Sequence, residues 1–340
     1  SVQTKCPARL ASRALCCPQC GPYAQVTAEC RAQHSHSSPT YVSLRRMEPI
    51  IGSAAVSSGR LTRRGLARDY RPIYRDVYLP RDIELTAHLR ARAAWLATGA
   101  TLCGLSAAAV LGTKWLDPAA PAEIVRANRR AARGITVHSW DLAPDEIGRF
   151  AGLPVTTPAR TAFDVGRLCP SALAIQILDA LVNATGVPLT EVKGVADRYP
   201  GVRGVARLRP LLQLVDGGAE SPQETRLRLL LVRAGLPRPE TQIALRELRI
   251  RVDMGWREWR VAVEYDGVQH WSDRRQRSWD IERIALLEEA GQPGGLDREA
   301  VVVRADPNRH VLQEVDWPGL QPGARDAGIG GQEQADVVAG

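Results

Sequence analysis

Lysine is nearly missing from this chain: Lys5, Lys114 and Lys193 are its only three in 340 residues, so arginine carries almost all the positive charge. The balance is a formal net charge of +8, which fits a nucleic-acid partner and equally fits plain solubility. Cysteine is scarce past the first thirty residues, where only Cys103 and Cys169 remain. Two isolated thiols exclude a disulfide framework for the body of the chain and fit a reduced, cytoplasmic compartment. A long apolar run is lacking too. Residues 93–113 carry no charge, yet Gly99, Gly104 and Gly112 interrupt them. That predicts two short buried helices and no membrane span. No cleavable leader is evident, because polar residues break up any apolar core at the N-terminus. With 44% hydrophobic residues, the chain has enough apolar content for two or three domains with real cores, which excludes disorder throughout.

Residues 47–100 carry nine arginines against five acids, whereas residues 220–290 carry thirteen of each. The electrostatic handle for DNA therefore lies in the front half. Ahead of it, residues 1–46 read as foreign to the rest. Cys17-Pro-Gln-Cys20 followed by Cys30, His34 and His36 has zinc-like spacing. An unstructured tail and a true translation start at Met47 are the alternatives, and all three stay open.

From Ser53 the pattern is that of a small winged helix. Ser53–Gly59 and Leu61–Arg68 read as two helices, and Tyr70–Pro80 alternates like a hairpin. Arg63, Arg64 and Arg68 can face outward while Leu61 and Leu66 pack inward, as a recognition helix requires. A solvated basic helix is the bland alternative. Beyond it come an alanine-rich helical pair, strand-like runs at Ala122–Arg126 and Gly134–Ser139, and helices at Ser171–Val182, Thr190–Arg198 and Val202–Val215. Thr157 followed by Pro158 opens a helix running towards Gly166. His138 has no acidic or cysteine neighbour at ligand spacing and reads as an ordinary strand residue. Arg203, Arg207 and Arg209 read as a solvated face. The winged unit, Gly104-Leu-Ser-Ala-Ala-Ala-Val-Leu-Gly112 and Val155-Thr-Thr-Pro-Ala-Arg-Thr-Ala-Phe-Asp164 together resemble the front half of abortive-infection type IV antitoxins. That resemblance implies a winged helix coupled to a second, mixed domain, able to repress its own operon.

Asp216-Gly-Gly-Ala-Glu220 marks a boundary. Past it, Ser221-Pro-Gln-Glu224 has the spacing of a capping box, which competes with any ligand role for Glu224. The runs Leu248–Asp253 and Arg260–Asp266 can fold into a hairpin through Gly255 and the turn after it. An antiparallel return brings Asp253 near Glu264. Glu264 and Asp266 share one face of their strand, with Cα atoms about 7 Å apart by strand geometry. Converging carboxylates suit Mg²⁺ or Mn²⁺, although pairing with Arg249, Arg251 or Arg260 would neutralise them as well. Trp256, Trp259 and Trp271 could stack on a base or simply pack. Arg274 and Arg275 open the following helix, well placed for a phosphate.

Asp253, Val263-Glu-Tyr-Asp-Gly267 and His270, preceded by Glu224, resemble a bacterial family related to very-short-patch-repair endonucleases of the PD-(D/E)xK group, over roughly residues 219–290. The resemblance implies Asp253 and Glu264 as metal ligands, Glu224 as a supporting acid, and Asp266 and His270 as further site residues. One departure matters: Asp266 stands where that group has its lysine, and no lysine lies nearby. The pattern fails after Gly291. Either the reading frame shifts there, or Ala300-Val-Val-Val-Arg304 supplies the final strand after an inserted loop.

The sequence thus predicts a multidomain α/β protein. Its parts are a foreign segment at 1–46, a winged helix at 47–80, a mixed and mainly helical region at 81–218, a restriction-endonuclease-like domain at 219–306 and a tail at 307–340. DNA is the expected partner. The expected function is Mg²⁺- or Mn²⁺-dependent hydrolysis of DNA phosphodiesters, and the alternative is a non-catalytic, antitoxin-like DNA-binding regulator.

Overall fold

The structure, a computed structural model, describes residues 47–128, 132–245, 250–259, 261–265 and 301–305. The alternatives for residues 1–46, and Asp266, His270, Trp271, Arg274 and Arg275, lie outside the described residues.

Three strands, β1 (Ile50–Ile51), β2 (Tyr70–Tyr74) and β3 (Val77–Pro80), form a small sheet in the order β1-β3-β2. Two helices, α1 (Gly52–Ser57) and α2 (Arg63–Asp69), lie between β1 and β2. Helix α2 starts two residues later than expected, because Thr62 is its N-cap and accepts a hydrogen bond from the Gly65 amide at 3.0 Å. Gly59, at φ +70°, makes the left-handed turn between the helices. At the hairpin tip, the Asp76 carboxylate accepts from the Ser53 amide at 2.8 Å and from the Ser53 hydroxyl, which ties the hairpin to the first turn of α1. Pro72 sits on the edge strand β2, where its missing N–H is tolerated.

The middle of the chain holds more sheet than the sequence led us to expect. Strands β4 (Thr101–Leu102), β5 (Ala122–Val125), β6 (Ile135–His138), β7 (Ile147–Phe150) and β8 (Leu153–Thr156) pair in the order β6-β5-β4-β8-β7. They are short and hold Gly148 and Pro154, so alternation is hard to see in them. Around the sheet pack α3 (Ala87–Thr98), α4 (Gly104–Val110), α5 (Pro158–Leu168), α6 (Ser171–Thr185), α7 (Leu189–Arg198) and α8 (Val205–Leu211). Their core contains Leu102, Ile124, Val155, Phe163, Leu178, Leu181 and Leu208, and Tyr74 and Val77 of the front hairpin are buried in the same cluster. The charge-free run is the end of α3, then β4 and α4. Among the described residues no single helix is long and apolar enough to cross a membrane.

The last unit is α9 (Pro222–Arg233) against a four-stranded sheet of β9 (Glu240–Leu245), β10 (Ile250–Trp256), β11 (Val261–Tyr265) and β12 (Val301–Ala305), in the order β12-β11-β10-β9. Leu227 and Leu231 of α9 pack on Met254, Trp256, Val261 and Val263. Gly255 is not in the hairpin turn. It lies within β10 opposite Ala262, where a Cβ would come 2.1 Å from the Val261 carbonyl oxygen. Strand β12 runs parallel to β11, with Val261 opposite Val301 and Glu264 opposite Arg304. In the sequence as given, Val301–Ala305 supplies the strand beside β11.

Helix α9 is joined to α6 by a buried polar hub. Asp179 on α6 and Arg228 on α9 are each 1% exposed and 2.7 Å apart. The same carboxylate accepts from the Thr225 hydroxyl at 2.8 Å and the Asp216 amide at 2.7 Å, and Arg228 also donates to the Leu214 carbonyl.

Candidate nucleic-acid interface and acidic cluster

Arg63 and Arg64 occupy the first turn of α2 and are exposed, while Leu66, one turn on from Arg63, is buried. Arg68 is exposed as well, but its guanidinium makes two hydrogen bonds to the Asp69 carboxylate, at 2.7 and 2.8 Å. That contact raises the Arg68 pKa and lowers the Asp69 carboxyl below its ordinary value. Leu61 is half-buried, as expected. Arg81 closes the other end of α2 by donating to the carbonyls of Arg68 and Ala67. Arg75 is exposed beside Asp76 at the hairpin tip. The front unit therefore presents a helix start with two exposed arginines and a third, Arg75, at the hairpin tip beyond it.

The hairpin logic for the acids holds where it can be followed. Met254 pairs with Val263, so Asp253 and Glu264 are the next opposed residues across β10 and β11. The Glu264 carboxylate accepts from the Asp253 amide at 3.2 Å, and the Asp253 carboxylate accepts from the Tyr265 amide at 2.9 Å. Glu264 is buried. Glu224 lies on α9 and does form a cap: Ser221 donates its hydroxyl at 2.8 Å and accepts from the Glu224 amide at 3.2 Å. The backbone amide that Glu224 accepts from is that of Glu220, one residue earlier than a simple capping box places it, and the Gln242 amide group also donates to it at 3.1 Å. Burial raises the Glu224 pKa, with the Asp253 charge pushing the same way, and the Gln242 bond from β9 sets the helix start against the sheet. Gln242 itself holds φ +54°, a left-handed conformation that strains a residue with a side chain.

Among the described residues no three of His, Cys, Asp and Glu are grouped to hold a metal ion. The donor set of Asp253 and Glu264 nonetheless fits Mg²⁺, a hard cation that keeps several waters and takes one or two carboxylates. Arg251 is paired with Glu220 at 2.8 Å. Trp256 is packing: it is buried, donates to the Pro237 carbonyl at 3.0 Å and lies 5.2 Å from Trp259.

Several polar residues that look bland in the sequence are structural centres. His138 has an acidic neighbour after all, since its Nε2 lies 2.8 Å from the Glu123 carboxylate on β5. That carboxylate also accepts from the Leu105 amide at the start of α4. The Thr157–Asp164 motif builds a second hub on α5. Thr157 caps the helix, Arg160 reaches Glu146 at 2.6 Å and Asp164 at 2.9 Å, and Arg167 reaches Asp164 at 2.7 Å. All four ionic side chains are buried, and Trp140, Phe163 and Tyr199 stack around the two guanidiniums. Arg207, expected on a solvated face, is half-buried and donates to the Arg167 carbonyl at 2.6 Å. Burial pushes the Cys169 thiol up to about 11 and Cys103 well above its ordinary value, so neither is a ready nucleophile.

This arginine–carboxylate hub lies within residues 92–214, which match the model of the AbiEi antitoxin C-terminal domain. Two proteins of Mycobacterium tuberculosis, "Uncharacterized protein MT2308" of strain CDC 1551 / Oshkosh and "Uncharacterized protein Rv2248" of strain ATCC 25618 / H37Rv, are each 31% identical over 202 residues. In both cases the match spans 58% of this chain and 71% of the relative. The chain belongs to the family of these mycobacterial proteins and carries an AbiEi antitoxin C-terminal domain across residues 92–214.

Proposed function

We propose that the chain is an antitoxin-like DNA-binding regulator that acts by occupying DNA. The observation that carries this reading is the order β1-α1-α2-β2-β3, in which the exposed Arg63 and Arg64 open α2 and a hairpin with Arg75 at its tip follows. A helix presented this way can enter a major groove while the hairpin touches the adjacent backbone. Arginine suits the task because its planar donors match phosphate oxygens and the guanine edge. The AbiEi match in the adjoining region supports the same reading. Footprinting on the DNA upstream of the protein's own gene tests it: a protected site that an Arg63→Ala/Arg64→Ala variant no longer protects is expected. Equal protection by a folded variant would remove α2 from the interface.

A second reading is favoured by the opposed Asp253 and Glu264 beside Glu224, namely metal-dependent hydrolysis of DNA by the last unit. Asp253 and Glu264 would hold Mg²⁺ or Mn²⁺, which when bound would polarise a phosphate and lower the pKa of a water. Within the chain, Glu224 ties the α9 start to β9 by accepting from the Gln242 side chain. Incubating supercoiled and mismatched DNA with either cation separates the readings. Nicking that Asp253→Ala abolishes supports hydrolysis, and salt-sensitive binding without nicking supports the regulator alone.

A further inference from the structure

Arg75 stands at the hairpin tip between two anchored residues. Tyr74 pairs with Val77, so Arg75 and Asp76 alone form the turn that joins β2 to β3. On one side of Arg75, Tyr74 is buried and its hydroxyl donates to the Gly134 carbonyl, just ahead of β6, at 3.1 Å. On the other side, Asp76 holds the start of α1 by three hydrogen bonds. Its carbonyl accepts from the Gly52 amide at 2.9 Å, one carboxylate oxygen accepts from the Ser53 amide at 2.8 Å, and the other accepts from the Ser53 hydroxyl. That start is in turn pressed against α2: a Cβ on Gly52 would lie 2.5 Å from the Tyr78 ring of β3 and 3.0 Å from the Leu66 side chain of α2. The latched tip is thus tied closely to the helix that carries Arg63 and Arg64.

Neither the turn nor DNA calls for an acid at this place. Asp76 has φ +59°, a left-handed conformation that glycine and asparagine adopt at as little cost. An acid on a face that meets phosphate weakens binding by its charge. What Asp76 supplies and glycine lacks is a pair of acceptor oxygens for the two Ser53 donors, and those bonds hold its carboxyl below the ordinary carboxylate value. A tip fixed in advance does not have to be ordered on the DNA, a cost that lowers the affinity of a loosely held arginine.

We propose that Asp76 is a positioning residue for DNA binding: latched to Ser53, it holds Arg75 in place relative to the α2 start, so that helix and hairpin meet the duplex as one rigid surface. This role rests on the DNA-binding reading and adds to it a pair of residues that act without touching a phosphate. The test is fluorescence anisotropy of a labelled duplex from upstream of the gene, titrated with the full chain across a series of salt concentrations, with circular dichroism to show which variants fold. Ser53→Ala removes the hydroxyl donor and leaves every charge in place. It should weaken binding by about threefold or more and make the slope of log affinity against log salt shallower by up to about 0.9, the share of one phosphate contact. A loss of stability alone would leave that slope where it was. Asp76→Gly keeps the turn and drops both side-chain bonds, so it should weaken binding too, whereas removing a merely repulsive acid would tighten it. Asp76→Asn keeps one acceptor and should fall between Asp76→Gly and the native chain. Arg75→Ala should weaken binding comparably, and adding Ser53→Ala to it should change affinity by less than about twofold, because the latch acts through Arg75. Native affinity and slope in a folded Ser53→Ala or Arg75→Ala variant overturn the proposal, as do tighter binding by Asp76→Gly or additive losses in the Ser53→Ala/Arg75→Ala pair. Should Asp76→Gly fail to fold, Ser53→Ala and its pair with Arg75→Ala decide. Absence of binding by the native chain overturns the DNA reading and this role with it; binding that Arg63→Ala/Arg64→Ala abolishes and Ser53→Ala leaves intact keeps the reading and overturns the role alone.

Discussion

Replacing Asp179 by Asn removes a charge from the hub between α6 and α9 while keeping the side chain's shape. Arg228, 1% exposed, would lose its charged partner and keep its bond to the Leu214 carbonyl. An uncompensated buried charge typically costs about 3–5 kcal/mol. Arg228→Met has the converse effect. It leaves the Asp179 carboxylate with the Thr225 hydroxyl and the Asp216 amide alone, and a cost of similar size follows at neutral pH. Combining the two removes both charges, so the double variant should recover about 2 kcal/mol or more of the summed loss, towards the upper end of coupling energies for residues in contact. Urea unfolding at pH 7, followed by tryptophan fluorescence and circular dichroism, measures all four chains. The hub is also the joint to the last unit, so the two probes should cease to coincide in the single variants. Losses under about 0.5 kcal/mol for Asp179→Asn, the size of an ordinary surface change, would refute the reasoning. Strict additivity of the singles would refute it equally.

Two further outcomes follow from the geometry. Gly255→Ala should lower stability by about 1–3 kcal/mol, because the new methyl meets backbone that cannot yield, whereas Gly194→Ala in α7, with open space around it, should raise stability by about 0.5–1 kcal/mol. Thermal melting of both variants checks the contrast. Glu224→Gln keeps the cap, since glutamine serves at that position. A carboxyl whose folded pKa is raised stabilises the fold at low pH, and that contribution is lost as pH climbs from its ordinary value, 4.5 for Glu224, through the raised one. Stability of the Gln variant relative to the native chain should therefore improve with rising pH across that window, and a difference that stays flat with pH contradicts the burial and Asp253 proximity inferred for Glu224.

Local signals carried much of the fold. Thr157-Pro158 and Ser221-Pro222 mark helix starts through chemistry contained in a few residues, and both helices begin there. The opposition of Asp253 and Glu264 was legible because a hairpin brings near residues together. What sequence spacing could not show were contacts made across the fold. Glu123 meets His138 through the parallel pairing of β5 and β6, and Asp179 meets Arg228 across 49 residues. Arg160, Asp164 and Arg167 are spaced i, i+4 and i, i+3 on one helix, so their pairing is local, but their burial against Trp140 and Tyr199 is set by the fold. The same blindness applies to Arg68, whose neighbour Asp69 was in plain view but whose pairing depends on rotamers.

The central claim is that α2 of the front unit binds DNA through Arg63 and Arg64. The most direct measurement is fluorescence anisotropy of a labelled duplex from upstream of the gene, titrated with native chain and with Arg63→Ala/Arg64→Ala across a series of salt concentrations. Each phosphate contact adds about 0.9 to the slope of log affinity against log salt. The account predicts weaker binding by the variant and a slope shallower by about 1–2. Identical affinity and identical slope in a folded variant would contradict it.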